Sequence, residues 1–253
     1  MPLALKELQG LLDELLKPED FRDYCPNGLQ IEGKSEVRLL ISGVTACQAL
    51  IDEAITRKAD ALLVHHGYFW RGEDPVISGI RRKRIKALLD HEISLFAYHL
   101  PLDAHPVHGN NACLGKLLGF SVEGDLDPKH KSRVGVWGKV ENSCDGQGLI
   151  NHIKQTLGRA PFHVPGEAKE IKTIAWCTGA AQQAIELAHS YDVDAYLTGE
   201  VSEQTVHFAR ETGMHFFAAG HHATERYGVQ SVGQYISEKT NIEHQFIDID
   251  NPV

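Results

Sequence analysis

The sequence predicts an α/β protein of two similar βαβ-based lobes related by internal duplication, with mostly parallel sheets and helices on both faces. Three observations carry that expectation. Short apolar runs alternate with helix-length amphipathic stretches along most of the chain. A segment of the first half recurs in the second at an offset of 134 residues. The chain has 253 residues and a hydrophobic fraction of 42%, enough for one large core or two small ones.

In chain order, Leu5, Leu8, Leu11, Leu12, Leu15 and Leu16 share one helical face, which Lys17-Pro18 closes. Cys25-Pro26-Asn27-Gly28 reads as a turn. Strands over Leu39 to Gly43, Ala61 to Val64 and Ser94 to Tyr98 alternate with helices over Ala46 to Lys58, Gly79 to His91 and Asn110 to Leu118, the order of a parallel sheet with crossover helices. A weaker strand, Val134 to Val140, and a helix around Gly148 to Leu157 open the second half. Strands Lys172 to Cys177, Ala195 to Thr198 and His215 to Ala219 then alternate with helices Ala180 to Tyr191, Ser202 to Thr212 and His222 to Lys239, before a last strand, Glu243 to Ile249. The Asp/Gly/Lys/Pro-rich stretch Glu123 to Arg133 divides the halves into lobes 1–125 and 126–253, with the last strand a candidate to return to the first lobe.

The repeat is visible residue by residue. The offset of 134 carries Asp60-Ala61-Leu62-Leu63 onto Asp194-Ala195-Tyr196-Leu197, and also matches Gln48 to Gln182, Ile51 to Ile185, Asp52 to Glu186 and Ala54 to Ala188. On that register His65-His66 falls opposite Gly199-Glu200, where an open α/β sheet builds its site. A second echo is His99-x-x-x-Asp103 and His221-x-x-x-Glu225, each following a predicted strand.

Composition narrows the chemistry. With 25 Lys and Arg against 34 Asp and Glu, the formal charge is −9, which disfavours nucleic acid and anionic membranes as partners of the general surface. Five widely spaced cysteines without a C-x-x-C pair indicate neither a disulfide framework nor a thiolate zinc knot, and fit a reducing cytoplasm. The charged amphipathic start is unlike a signal peptide, and no run approaches the roughly 20 apolar residues of a membrane span. Fifteen histidines, by contrast, raise metal chemistry, because neutral imidazole is a common ligand of borderline metals.

Three polar clusters stand at predicted strand ends: His65-His66, His99 with Asp103, and His221 with Glu225. Positions i and i+4 share a helical face, so His221 and Glu225 can hold one ion while the carboxylate bridges to a second. His65 and His66 point to opposite sides of an extended backbone, which suits two neighbouring ions, and Asp103 supplies a further oxygen. Three imidazoles and two carboxylates around two divalent ions leave positions for water, as catalytic sites do. The ions and carboxylates sum to about +2, a local site for a phosphate-bearing molecule in an acidic protein. Zn, Fe, Mn and Co all suit such ligands. His99 is the candidate catalytic residue, as ligand, proton shuttle or orienting partner.

Other features read plainly. His91, His105, His108, His130, His152, His163, His189, His207, His215 and His244 lack a partner at ligand spacing and read as surface or satisfied histidines; His222 points away from the Glu225 face. Arg81-Arg82-Lys83-Arg84 with Lys86 reads as a solvated helical face. Tyr68, Phe69 and Trp70 serve equally as a stacking wall for a flat ring or as packing. No G-x-G-x-x-G, P-loop lysine or G-x-S-x-G is present.

Cys25-Pro26-Asn27-Gly28-Leu29-Gln30, Val64-His65-His66-Gly67, His99-Leu100-Pro101-Leu102-Asp103, Thr198-Gly199-Glu200 and Gly220-His221-x-x-x-Glu225 together resemble the Nif-three-like dinuclear-metal family, whose members are described as homologs of a type-two GTP cyclohydrolase. The resemblance covers essentially the whole chain, in the short form without an inserted central domain. It implies that His65 and His221 hold one metal, His66 and Asp103 the other, and Glu225 bridges both. It also implies a homohexamer. Many members carry Pro where this chain has Gly67, which implies a looser turn here. The leading expectation is a dinuclear-metal hydrolase of a nucleotide or related heterocycle; the alternatives are a metal-dependent phosphoesterase and a non-catalytic metal-binding oligomeric scaffold or regulatory protein.

Overall fold

The chain enters through a two-residue strand, β1 (Leu3–Ala4), and a helix, α1 (Leu5–Leu16), which buries Leu5, Leu8, Leu12 and Leu16 and stops at Lys17, left-handed at φ 49° ahead of Pro18. The structure, a computed structural model, describes residues 2–129 and 135–253. Next come β2 (Gly28–Ile31), β3 (Glu36–Val37), β4 (Leu39–Thr45), α2 (Gln48–Thr56), β5 (Ala61–His66), α3 (Gly79–Asp90) and β6 (Ser94–Ala97). They are followed by α4 (Leu100–Ala104), α5 (Asn110–Leu118), β7 (Phe120–Asp125), β8 (Val136–Cys144), α6 (Gly146–Leu157), β9 (Phe162–Val164) and β10 (Ile171–Trp176). The chain closes with α7 (Ile185–His189), β11 (Ala195–Thr198), α8 (Glu203–Thr212), β12 (His215–Ala218), α9 (His221–Thr240) and β13 (Glu243–Phe246).

Two units result: Met1–Leu102 with Gly228–Asp250, and Asp103–Tyr227 with Asn251–Val253. The division therefore falls at Leu102 rather than at 125, and Asp103 counts with the second unit. The stretch Glu123 to Arg133 begins inside β7, which pairs with β8, so it connects two strands of one sheet. Residues 130–134, including Val134 of the expected strand and His130, lie outside the described residues.

The first unit holds a five-stranded sheet in the order β13-β4-β5-β6-β2, in which β13, β4, β5 and β6 run parallel and β2 antiparallel. Strand alternation sends Leu40, Leu63 and Phe96 to α1 and to Val229, Val232 and Ile236 of α9. The neighbouring Ile41, Leu62, Val64 and Leu95 pack on Leu50 and Ile51 of α2 and Leu88 of α3. Each such buried aliphatic side chain contributes about 1.5–3 kcal/mol.

The second unit holds a six-stranded sheet, β7-β8-β10-β11-β12-β9. Only β10, β11 and β12 are mutually parallel; β7, β8 and β9 join antiparallel, so this sheet is mixed. Ile174, Trp176, Leu197 and Phe217 face α5 and α6, while Ala175, Tyr196, Phe216 and Ala218 face α7 and α8. The expected helix Ala180 to Tyr191 shortens to α7, after a 3₁₀ turn over Gln182–Ala184.

The repeat extends to hydrogen bonds. Asp60 Oδ2 accepts from the Arg38 and Leu39 amides at 2.9 and 3.2 Å, and Asp194 Oδ2 accepts from the Lys172 and Thr173 amides, both at 2.9 Å. Donors and acceptors are displaced by the same 134 residues read from the sequence.

Candidate metal centre

In the first unit β5 runs two residues beyond its expected end and delivers His65 and His66 at its carboxyl terminus. His65 is fully buried, and its Nδ1 lies 3.0 Å from the Tyr98 carbonyl oxygen. A carbonyl only accepts, so Nδ1 carries the proton and Nε2 the lone pair. Tyr98 in turn donates its hydroxyl to Asp13 Oδ1 on α1 at 2.6 Å. His66 Nδ1 contacts Thr45 Oγ1 at 3.2 Å. The two rings do not splay to opposite sides as strand alternation predicts: their centroids are 4.5 Å apart, because the strand ends at His66 and the backbone turns there.

Gly67 is the residue that permits that turn, since a Cβ there would collide with the Gln30 amide and with Ala97 Cβ. The turn is accordingly tight rather than loose. Gln30 Oε1 accepts from the Tyr68 amide at 2.8 Å, Tyr68 is buried with its hydroxyl on Ala46 O, and Trp70 Nε1 donates to Gly67 O at 3.2 Å. Trp70 also meets His99 edge-on at 4.9 Å, while Arg81 lies over exposed Phe69, so the first residue of the basic run anchors the loop.

His99 joins the pair, with ring centroids 5.1 Å from His65 and 5.9 Å from His66. One ligand atom from each of the three lies within 4.8 Å of the others. His99 Nδ1 is 2.7 Å from Asp23 Oδ1, and its amide donates to Asn27 Oδ1 at 2.7 Å. Burial works against the Asp23 charge, but His99, Asn27 and the Tyr24 amide hold its carboxyl below the usual carboxylate range.

The second unit brings Asp103 and Glu225 to one turn, Thr178-Gly179, after β10. Asp103 Oδ1 accepts from Asn110 Nδ2 at 2.8 Å and from Thr178 Oγ1 at 3.2 Å. Asn111 donates to Asp103 O and accepts from the Thr178 amide at 3.0 Å, tying α5 to the turn. Gly179, left-handed at φ 70°, abuts the Glu225 carboxylate so closely that a Cβ would overlap it. Burial and then the charges of Asp103 and Glu225 push the Cys177 thiol far up, so it is neutral beside them.

His221 opens α9 with Nδ1 2.7 Å from Glu200 Oε1 and Nε2 3.1 Å from Glu225 Oε2. Burial opposes its protonation, yet the Glu225 and Glu200 carboxylates outweigh that and raise its pKa to about 9. His221 and Glu225 therefore lie on one face of α9, in contact at i and i+4.

Sequence reasoning missed Asp23, Asn110, Asn111 and Thr178, and left Asn27 and Glu200 without a site role. Glu200 carried a signal in its position opposite His66 in the repeat, and Asn27 in its place in the Cys25-Pro26-Asn27-Gly28 turn. Several background histidines prove to be engaged structurally: His163 Nε2 bonds His215 Nδ1 at 3.0 Å, and His244 Nε2 bonds Ser42 Oγ at 2.8 Å.

The donor set suits a borderline divalent metal: imidazole nitrogen and carboxylate oxygen, with Nδ1 of His65, His66 and His221 each bound to a carbonyl, hydroxyl or carboxylate, the outer support typical of metal-bound histidine. Fold and side chains thus define an α/β protein whose histidine and carboxylate clusters could bind metal. The chain belongs to the Duf34/NIF3 (NGG1p interacting factor 3) family, which matches residues 3–252. It is 52% identical over 252 residues to a Pseudomonas aeruginosa protein named GTP cyclohydrolase 1 type 2 homolog, covering 100% of both chains. Among solved structures, one described as protein ybgI, of unknown function, superposes with a TM-score of 0.95 at 48% identity, covering 99% of this chain and 100% of the other. A Thermus thermophilus protein, TTHA1606, gives 0.89 at 30% identity with the same coverage. No helix among the described residues is long and apolar enough to cross a membrane.

Proposed function

We propose that the protein is a dinuclear-metal-dependent hydrolase of a nucleotide or related heterocycle, in the manner of a GTP cyclohydrolase. The ligands are His65, His66, Asp103, His221 and Glu225. The observation that carries this reading is the outer support of the three histidines: Nδ1 of each meets a carbonyl, hydroxyl or carboxylate, and for His65 the carbonyl places the proton on Nδ1 and the lone pair on Nε2. The name borne by the Pseudomonas relative supports the substrate class. By resemblance, His65 and His221 serve one ion, His66 and Asp103 the other, and Glu225 both.

Two such ions supply Lewis acidity and water ionised near a pKa of about 7. The chain's own residues do the remaining work. Asn110 and Thr178 orient Asp103, Glu200 orients His221, and Gly179 keeps the Glu225 carboxylate in place. His99 accepts or returns a proton at Nε2 beside His65 and His66.

The test is purified protein reconstituted with Mn, Fe or Zn and assayed with GTP for formate. Formate release that requires about two ions per chain, and that is lost in His66→Ala and Glu225→Ala, is the expected result. Hydrolysis of a simple phosphodiester without formate release would move the reading to a phosphoesterase. Metal content well below two per chain after reconstitution would overturn the dinuclear centre.

A further inference from the structure

Asp23 is nearly inaccessible, with 3% of its side chain exposed, and four donors surround its carboxylate. His99 Nδ1 and the Tyr24 amide approach Oδ1 at 2.7 and 2.6 Å; Asn27 Nδ2 and the Leu100 amide approach Oδ2, both at 2.9 Å. Two of these are backbone N–H groups, which can only donate. Asn27 is fixed in orientation because its Oδ1 already accepts from the His99 amide at 2.7 Å. A buried carboxylate so enclosed by donors is ionised, and an ionised carboxylate only accepts.

The short contact to His99 therefore requires the proton on Nδ1 and assigns the lone pair of the neutral ring to Nε2. We infer that Asp23 is a positioning residue: it holds His99 in the Nδ1–H tautomer and so presents Nε2 as a proton acceptor beside His65 and His66. The ring has little freedom to do otherwise. Its own amide and that of Leu100 are both tied to the 23–27 segment, Trp70 meets its edge at 4.9 Å, and Tyr24 lies at 6.3 Å. Cys25, the other ligand-type group within 4.8 Å of Asp23 and His99, is kept neutral by burial and by the Asp23 charge, which push its thiol up to about 12.

When Nε2 takes a proton from a reacting hydroxyl or water, the ring becomes an imidazolium, its Nδ1–H stays on His99, and Asp23 stays ionised and offsets the new charge. The role as base rests on the metal-centre reading; the tautomer does not. The test is NMR of the full-length protein labelled with ¹⁵N-histidine, metal-free and zinc-loaded. The wild-type His99 ring is expected to show a protonated Nδ1 and an unprotonated Nε2 in both forms. Asp23→Asn is expected to lose that pattern in favour of Nε2–H while binding the same amount of zinc, and Asp23→Glu to retain it. Where GTP is turned over, kcat in Asp23→Asn falls about 10²–10⁴-fold with KM little changed.

An Nε2–H tautomer in the wild type, or an unchanged His99 spectrum in Asp23→Asn, overturns the inference. So does loss of zinc from Asp23→Asn, which would make Asp23 part of the metal site. If Asp23→Asn does not fold, the wild-type spectrum and Asp23→Glu still decide. Failure of wild-type protein to bind zinc would defeat the metal-centre reading alone, because the metal-free spectrum tests Asp23 independently.

Discussion

At the scale of single residues, the histidine and carboxylate clusters depend on groups that do no chemistry. Gly179 is the clearest. Its left-handed φ of 70° and its contact with the Glu225 carboxylate are both incompatible with a side chain. Gly179→Ala should cost about 1–2 kcal/mol of backbone strain and displace the carboxylate, weakening zinc about tenfold or more. Competition against a chromophoric chelator measures this, and an unchanged zinc affinity would show that Glu225 is not a ligand. His221 makes the related point about charge. Without metal it is held protonated between Glu225 and Glu200, so an ion must displace a proton to bind, and zinc binding should release protons into weakly buffered solution.

At the scale of elements, each half closes its first parallel strand pair with an aspartate at the start of the second strand. Asp60 clamps the amides of Arg38 and Leu39, and Asp194 those of Lys172 and Thr173. Replacing either by Ala should destabilise the protein by about 1–3 kcal/mol, read by urea unfolding at neutral pH. For Asp60, burial raises the pKa but the Arg38 amide, Lys34 and the Leu39 amide outweigh it, so the folded value lies below the unfolded one. The folded state therefore binds that proton less readily, and the contribution of Asp60 is full above about pH 4 and is lost as pH falls through the folded value. The gap between wild type and Asp60→Ala should shrink toward pH 3; a constant gap would show that the carboxylate charge is not the source.

At the scale of the whole molecule, a metal ion that binds the folded chain and not the unfolded one stabilises the fold. Zinc should then raise the Tm of the wild type, equivalent to about 2.7 kcal/mol at a hundredfold excess over Kd. His65→Ala and His221→Ala should each abolish most of that gain if they serve one ion. Retention of the full gain in either variant would refute the shared assignment. The stretch Glu123 to Arg133, rich in Asp, Gly, Lys and Pro, reads as a boundary, yet it begins inside β7, which pairs with β8 in one sheet.

The parallel strands were legible because the short, nearly continuous apolar runs within Leu39 to Thr45, Ala61 to His66 and Ser94 to Ala97 are a local property of the chain. The short strands β2, β3 and β9 were not, since two to four residues hold no period and their pairing is decided by partners elsewhere. The five proposed ligands were visible as residue types at characteristic spacings. Which ring nitrogen carries the proton was not, because it is set by the group that faces it: the Tyr98 carbonyl for His65, 33 residues away, and Asp23 for His99, 76 away. Sequence alone determined which histidines and carboxylates stand as candidate ligands in this protein. The tertiary structure decided their protonation and aim, since a proton's position depends on through-space neighbours and not on order along the chain.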